Sequence, residues 1–314
     1  MADGATGVAS RAQPRRSPTK GLWGGVRAEL ADKDRRLAYF LVTPSLLIIL
    51  LIAVFPIVYA IYLSFQDVIP NQPTTWAGFS NYVELFTDAD FGGALLNTFI
   101  FTVVSVGLEV VFGIGIALAL NRVFAGRGVT RATTLAPWAL PPAVAAIMWR
   151  LMFQDQIGII SYIASTLKIY TGTILGSDIA LLIGAIAADV WKTTPFMALL
   201  ILAGLQVIPE DVYEAARVDG ATAAQQFWRV TLPLVKPALL VALLFRTLDA
   251  WRVYDLFWVM GNRQLDSLSV FVYNGVKISQ LDFSVGNAAA VFIFLTSIGI
   301  AFFFFKVLGA QPKE

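Results

Sequence analysis

Six long apolar stretches constrain this chain more than any other feature of its sequence. They cover roughly 37–65, 95–120, 132–153, 179–202, 238–260 and 285–308. A membrane span needs about 20 mostly apolar residues, because the hydrocarbon core is roughly 30 Å thick and an α-helix rises about 1.5 Å per residue. Each stretch is predicted helical, since lipid offers no partner to an unpaired backbone N–H or C=O. No alternating pattern argues for a barrel. Composition agrees: 57% of the 314 residues are apolar, 14% are charged, and mean hydropathy is +0.71. That is too little charge for a soluble domain of this length. The expectation is an all-α membrane protein with six transmembrane helices, the first kinked at Pro44 and Pro56.

The positive charges give the direction of those spans. Residues 1–36 carry eight Lys and Arg, 121–131 three, 206–236 three, and 306 onward two. The alternate connections carry none (66–94), one (154–178, Lys168) and two (261–284, Arg263 and Lys277). Sixteen against three places both termini in the cytoplasm. The Gly-, Ser- and Arg-rich segment 1–36 reads as a disordered basic tail, and it is too long and polar to be the lead-in of a signal peptide. The membrane-spanning body then covers 37–308, with a short tail over 309–314.

What the sequence lacks narrows the function. It has no cysteine and no histidine, which removes disulfides, thiolate or imidazole metal sites and the commonest general base. No Gly-x-x-x-x-Gly-Lys-Ser/Thr loop is present, so a P-loop for ATP is absent too. Any energy used by a process in which this chain takes part must come from a partner subunit or from an ion gradient.

The segment 206–236, between the fourth and fifth spans, is the most informative. Pro209 suits the start of a helix, and Glu210 and Asp211 place negative charge at the positive end of its dipole. Gly220 ends that helix. A second is predicted over about 221–230, broken again by Pro233 and Pro237. Helices this short do not stand alone in water, so packing must hold them. Glu214-Ala215-Ala216, then Asp219-Gly220-Ala221, Phe227 and Leu232-Pro233 stand in fixed order. The bland alternative is an ordinary amphipathic turn.

That spacing resembles the EAA motif of ABC importer permeases. Phe79–Phe86, Asn97–Thr102, Val190–Met197 and Leu244–Asp255 are similar to the carbohydrate branch of that family, the maltose/trehalose type. The resemblance covers about 36–308 and implies a type I importer permease fold in a bacterial cytoplasmic membrane. It also implies that Glu214, Ala215, Ala216, Asp219 and Gly220 dock on an ATPase. The implied partners are a second permease subunit, two ABC ATPase subunits, an extracytoplasmic sugar-binding protein and membrane lipid, with no nucleic acid. ATP and magnesium would sit on the ATPases, leaving this chain no cofactor and no catalytic residue. A gradient-driven carrier or channel is the competing class.

Charges inside the spans need partners or a water-filled path. Asp189 and Lys192 lie three apart in the fourth span, and Arg246, Asp249, Arg252 and Asp255 alternate at the same spacing in the fifth. On one helix those four form a ridge spiralling halfway round it, so they serve as internal ion pairs or as a polar path. By resemblance the sugar path would include Asp189, Lys192, Thr193, Phe196, Asp249 and Arg252. Trp191, Phe196, Trp251 and Tyr254 are aromatic walls or ordinary packing. Glu109 is a buried carboxylate with no evident local partner, and Arg150 is placed at the outer edge of the third span, snorkelling. The preferred substrate is a disaccharide such as trehalose or a maltose-type α-glucoside; other oligosaccharides and glycerol phosphate stay open.

Overall fold

A computed structural model of the chain describes residues 37–69, 72–122, 125–169, 172–261, 264–278 and 283–309. The basic tail expected over 1–36, Arg263 and the terminal residues 310–314 lie outside them. The chain divides into two units, Met1–Tyr59 and Ala60–Glu314.

The helices run in the order α1 (Leu37–Ser64), α2 (Ser80–Thr87), α3 (Ala89–Asn121), α4 (Arg127–Thr134), α5 (Ala136–Ala139) and α6 (Pro142–Met152). They continue with α7 (Ile159–Thr166), α8 (Asp178–Leu205), α9 (Glu210–Val218), α10 (Ala223–Trp251), α11 (Asp255–Gly261), α12 (Leu268–Tyr273) and α13 (Phe283–Gly309). Among the described residues the only sheet is a two-stranded antiparallel hairpin, β1 (Gln66–Asp67) and β2 (Thr75–Trp76), with Gln66 opposite Trp76. In the first unit, α1 contains a π turn at Leu50–Val54, just before Pro56. The missing proline N–H interrupts the helical ladder there, and the wider turn absorbs the gap.

Among the described residues five helices are long and apolar enough to cross a membrane: α1, α3, α8, α10 and α13. The third expected span, 132–153, is not one helix. Its residues are shared among the end of α4, α5 and α6, because Pro137, Pro141 and Pro142 interrupt it and Leu140 and Pro141 adopt extended backbone. The fifth expected span is also redrawn. α10 starts before Pro233 and passes through Pro237, stopping at Trp251 rather than Met260. Pro233 follows directly on a π turn inside α10, Phe227–Thr231, whose wider ladder absorbs the missing N–H. The predicted short second loop helix is therefore the opening of α10, not a separate element.

In the second unit α8 is the central helix, packed against α3 and α10. Its buried face carries Leu181, Ala185, Ala188, Met197, Ala198, Ile201 and Leu205. Small residues let the backbones approach closely. A Cβ on Gly113 of α3 would lie 2.8 Å from Met197 Cγ, and one on Gly204 would overlap Ala238 Cβ of α10. Caps fix where the helices begin: the Asp88 side chain accepts from the N–H groups of Asp90 and Phe91 at the start of α3, and Ser177 accepts from Ala180 N at the start of α8. Asn81 donates to the carbonyls of Ser64 (2.9 Å) and Gln66 (3.0 Å), and Ser64 and Tyr82 hydroxyls lie 2.7 Å apart. The Phe79–Phe86 segment thus anchors the start of the hairpin.

Candidate functional site

Three helices bring one charged cluster into the apolar interior. Arg246 of α10 is 2% exposed and Glu109 of α3 is fully buried. Their side chains meet in a bidentate pair, Nε to Oε2 at 2.6 Å and Nη2 to Oε1 at 2.7 Å. The same Nη2 donates to Asp189 Oδ2 of α8 at 2.9 Å, and Nη1 donates to Asp249 Oδ2. The Thr193 hydroxyl lies 2.7 Å from Glu109 Oε1 and 2.5 Å from the Asp189 carbonyl oxygen, spanning α3 and α8. A planar guanidinium with five donors is the cation suited to three carboxylates at once.

The other residues expected on the path lie around that cluster. Lys192 is 9% exposed, with no ion pair within 4.0 Å among the described residues, and feels the Asp189 and Asp249 carboxylates. The Asp249 side chain is 74% exposed, so this carboxylate is pinned by Arg246 on one side and open on the other. Arg252 caps α10 and donates to Leu248 O at 3.1 Å with its side chain exposed. Asp255 opens α11 instead of continuing α10. The four-charge ridge expected on one helix therefore does not exist: the helix ends between Asp249 and Asp255, and among the described residues only Arg246 and Asp249 of the four are in ion pairs. Phe196 stacks on Trp138 at 5.3 Å, Trp191 meets Trp149, and Tyr254 meets Trp258 and Tyr273. Trp251 is buried and donates to Thr296 Oγ1 at 2.9 Å.

The loop between α8 and α10 is the second feature. No residue of α9 is buried. The helix closes in a Schellman turn: Ala221 N–H bonds Ala216 O at 2.9 Å, Gly220 N–H bonds Arg217 O at 3.0 Å, and Gly220 has φ +78°. That conformation is natural only to glycine among ordinary residues. A capping box at Thr222 and Gln225 starts α10, and the Thr231 and Tyr213 hydroxyls, 3.3 Å apart, link α9 to it. Glu214, Ala215, Asp219 and Gly220 stand exposed, Ala216 half-buried, with Val218 87% and Trp228 66% exposed beside them.

The model of the family described as "Binding-protein-dependent transport system inner membrane component" matches residues 110–311. This chain belongs to that family. The permease is 37% identical over 287 residues to the trehalose/maltose transport system permease protein MalF of Thermococcus litoralis, covering 89% of this chain and 96% of the relative. It is 39% identical over 282 residues to the trehalose transport system permease protein SugA of Mycobacterium tuberculosis, covering 88% and 90%. In fold it is similar to a solved bacterial ABC transporter that imports the acidic polysaccharide alginate, with a TM-score of 0.77 at 23% identity over 91% of this chain and 100% of that one. The permease is thus a multi-pass inner-membrane transport subunit of all-α importer fold, and not an enzyme.

Two interactions in this permease were not visible in the sequence reading. Glu109 does have a partner, Arg246, 137 residues away. An acid alone in a predicted span demands a cation somewhere, but Arg150, Lys192, Arg246 and Arg252 all stood as candidates in the sequence. Arg150 does not snorkel; its Nη1 donates to Val259 O of α11 at 3.0 Å. It satisfies a carbonyl near the end of a helix only seven residues long.

Proposed function

We propose that this chain is one of two membrane subunits of an ATP-driven ABC importer for a neutral disaccharide, trehalose or a maltose-type α-glucoside. The names of the two relatives support the sugar. The exposed α9 loop, closed by Gly220 at positive φ, carries the reading that an ATPase docks here. Its helix has no buried face of its own, and Val218 and Trp228 beside it are left for a partner to cover. Glu214, Ala215, Ala216, Asp219 and Gly220 form the contact. The loop and both termini face the cytoplasm, on the side with the excess of Lys and Arg.

In the full assembly a second permease subunit completes the path, and two ABC ATPases bind ATP and magnesium. An extracytoplasmic binding protein delivers the sugar. ATP binding draws the ATPases together, and the docked loops carry that movement into α8 and α10, which flank the loop. Glu109, Asp189 and Arg246 keep those two helices and α3 in register. Lys192, Thr193, Phe196, Asp249 and Arg252 supply donors, acceptors and an aromatic face along the path, with Asp249 the most accessible acceptor and Asp189 set behind Arg246.

The test is Gly220→Pro against Gly220→Ala in the assembled transporter. Proline is fixed near φ −65°, so the turn cannot form, whereas alanine enters open space at a cost of about 1 kcal/mol. ATPase co-purification and sugar-stimulated ATP hydrolysis should vanish in the first and persist in the second. Full coupling by the proline variant removes the docking assignment. Unchanged uptake by Lys192→Ala and Asp249→Ala removes the path assignment.

A further inference from the structure

A pair of arginines with no counter-charge among the described residues stands at the end of two membrane helices. Arg127 and Arg131 are four apart on α4 and so share one face of it. With its amide oxygen turned toward them, Gln206 accepts from Arg127 Nη2 at 3.0 Å and Arg131 Nη2 at 2.5 Å. Arg131 Nη2 also donates to Leu120 O at 3.3 Å. Leu120 lies in the last turn of α3 and Gln206 caps α8, so the two guanidiniums sit where both helices leave the apolar layer. Neither makes an ion pair among the described residues, and both Nε atoms are buried without an acceptor. Among the described residues one neutral amide is thus the only side-chain acceptor for two full positive charges held close together. Such an arrangement repels itself until a dianionic or monoanionic group joins it, and the guanidinium fork matches phosphate oxygens best.

We propose that Arg127 and Arg131 form a binding site for the phosphate of an anionic phospholipid headgroup. Position selects the lipid over a free phosphate: the pair lies level with the ends of two spans, and Val129 on the same short helix is 70% exposed, which suits contact with acyl chains. Headgroup binding would steady the end of α8 through Gln206, four residues before α9 begins. The lipid site is independent of which substrate is carried.

The test uses the purified full chain in detergent, titrated with phosphatidylglycerol or phosphatidylcholine and read by native mass spectrometry. Each surface arginine contributes about 1 kcal/mol toward an anionic headgroup, so R127Q/R131Q should weaken phosphatidylglycerol retention on the order of thirtyfold. Phosphatidylcholine retention should be low and equal in both proteins. R127K/R131K, which keeps both charges, should retain most of the anionic lipid, and an unchanged melting temperature of R127Q/R131Q shows that its loss is not general misfolding. Equal phosphatidylglycerol retention by wild type and the double variant overturns the proposal. Displacement of the lipid by millimolar inorganic phosphate would also overturn it, in favour of a soluble anion.

Discussion

Replacing Arg246 by methionine should destabilise the protein far more than neutralising its main partner. The side chain is 2% exposed, and its removal leaves Glu109, fully buried, and Asp189, whose side chain is 9% exposed, without their cation. Breaking a buried ion pair from one side costs about 3–5 kcal/mol, because the remaining charge is left desolvated or must take up a proton. The third pair contributes little, since the Asp249 side chain is 74% exposed and well screened. Glu109→Gln keeps an oxygen for the guanidinium and leaves Asp189 in place. Its cost is the difference between a charge-assisted and a neutral hydrogen bond, about 1 kcal/mol. At about 2 °C per kcal/mol for a chain this long, Arg246→Met should lower the melting temperature by about 6–10 °C and Glu109→Gln by about 2 °C. Thermal unfolding of the detergent-purified protein, followed by tryptophan fluorescence, reads both. A melting temperature for Arg246→Met within 1–2 °C of wild type, on the scale of about 2 °C per kcal/mol, would refute a structural role for the cluster. Lost uptake at unchanged stability would instead make Arg246 a transport residue.

Three further outcomes follow from the geometry. Asp266 lies between α11 and α12, where burial pushes its carboxyl above the usual 3.8 despite the hydrogen bond from Asn274. A raised carboxyl favours the folded state below the unfolded value, and that advantage is lost as pH rises through the folded one. Asp266→Asn should therefore raise the melting temperature at pH 7 and leave it unchanged near pH 3.5; a drop at pH 7 would show that the charge is needed. Asn81→Ala strands the carbonyls of Ser64 and Gln66 and should cost about 1–3 kcal/mol, read as earlier melting and as faster proteolysis near the hairpin. Gly204→Val drives a branched side chain into Ala238 and Val235 and should cost about 1–3 kcal/mol by overpacking, whereas Gly115→Ala, with open space around it, should be silent in the same melt.

Periodicity and length carried most of the fold into view, because lipid leaves the backbone few alternatives to long apolar helices. α3, α8 and α13 fall where the apolar runs place them. The third stretch is not one continuous helix because hydropathy is blind to proline geometry: 132–153 is apolar enough, but Pro137, Pro141 and Pro142 divide it. Pro233 misled in the opposite direction. Pro233 lies well inside α10, and the π turn just before it supplies the slack that lets the helix run on without that N–H. The end of α10 at Trp251 had no strong local signal, so the four charges from Arg246 to Asp255 looked like one ridge. The loop was the easiest element to read, since acidic residues at its start and Gly220 at its end act through neighbours in sequence. The Glu109–Arg246 pair depends on a contact across 137 residues, and a single sequence offers only the demand for a partner, not its address.

The central claim is that ATP drives this chain to import a disaccharide through partners docked on α9. Proteoliposomes holding this permease with its companion permease and ATPase subunits, plus the binding protein outside, would measure labelled trehalose accumulation directly. Uptake should require ATP inside the vesicles, stay indifferent to proton and sodium gradients, and stop with Gly220→Pro while the variant remains inserted. Gradient-driven accumulation by this chain alone, with no ATPase present, would contradict the account.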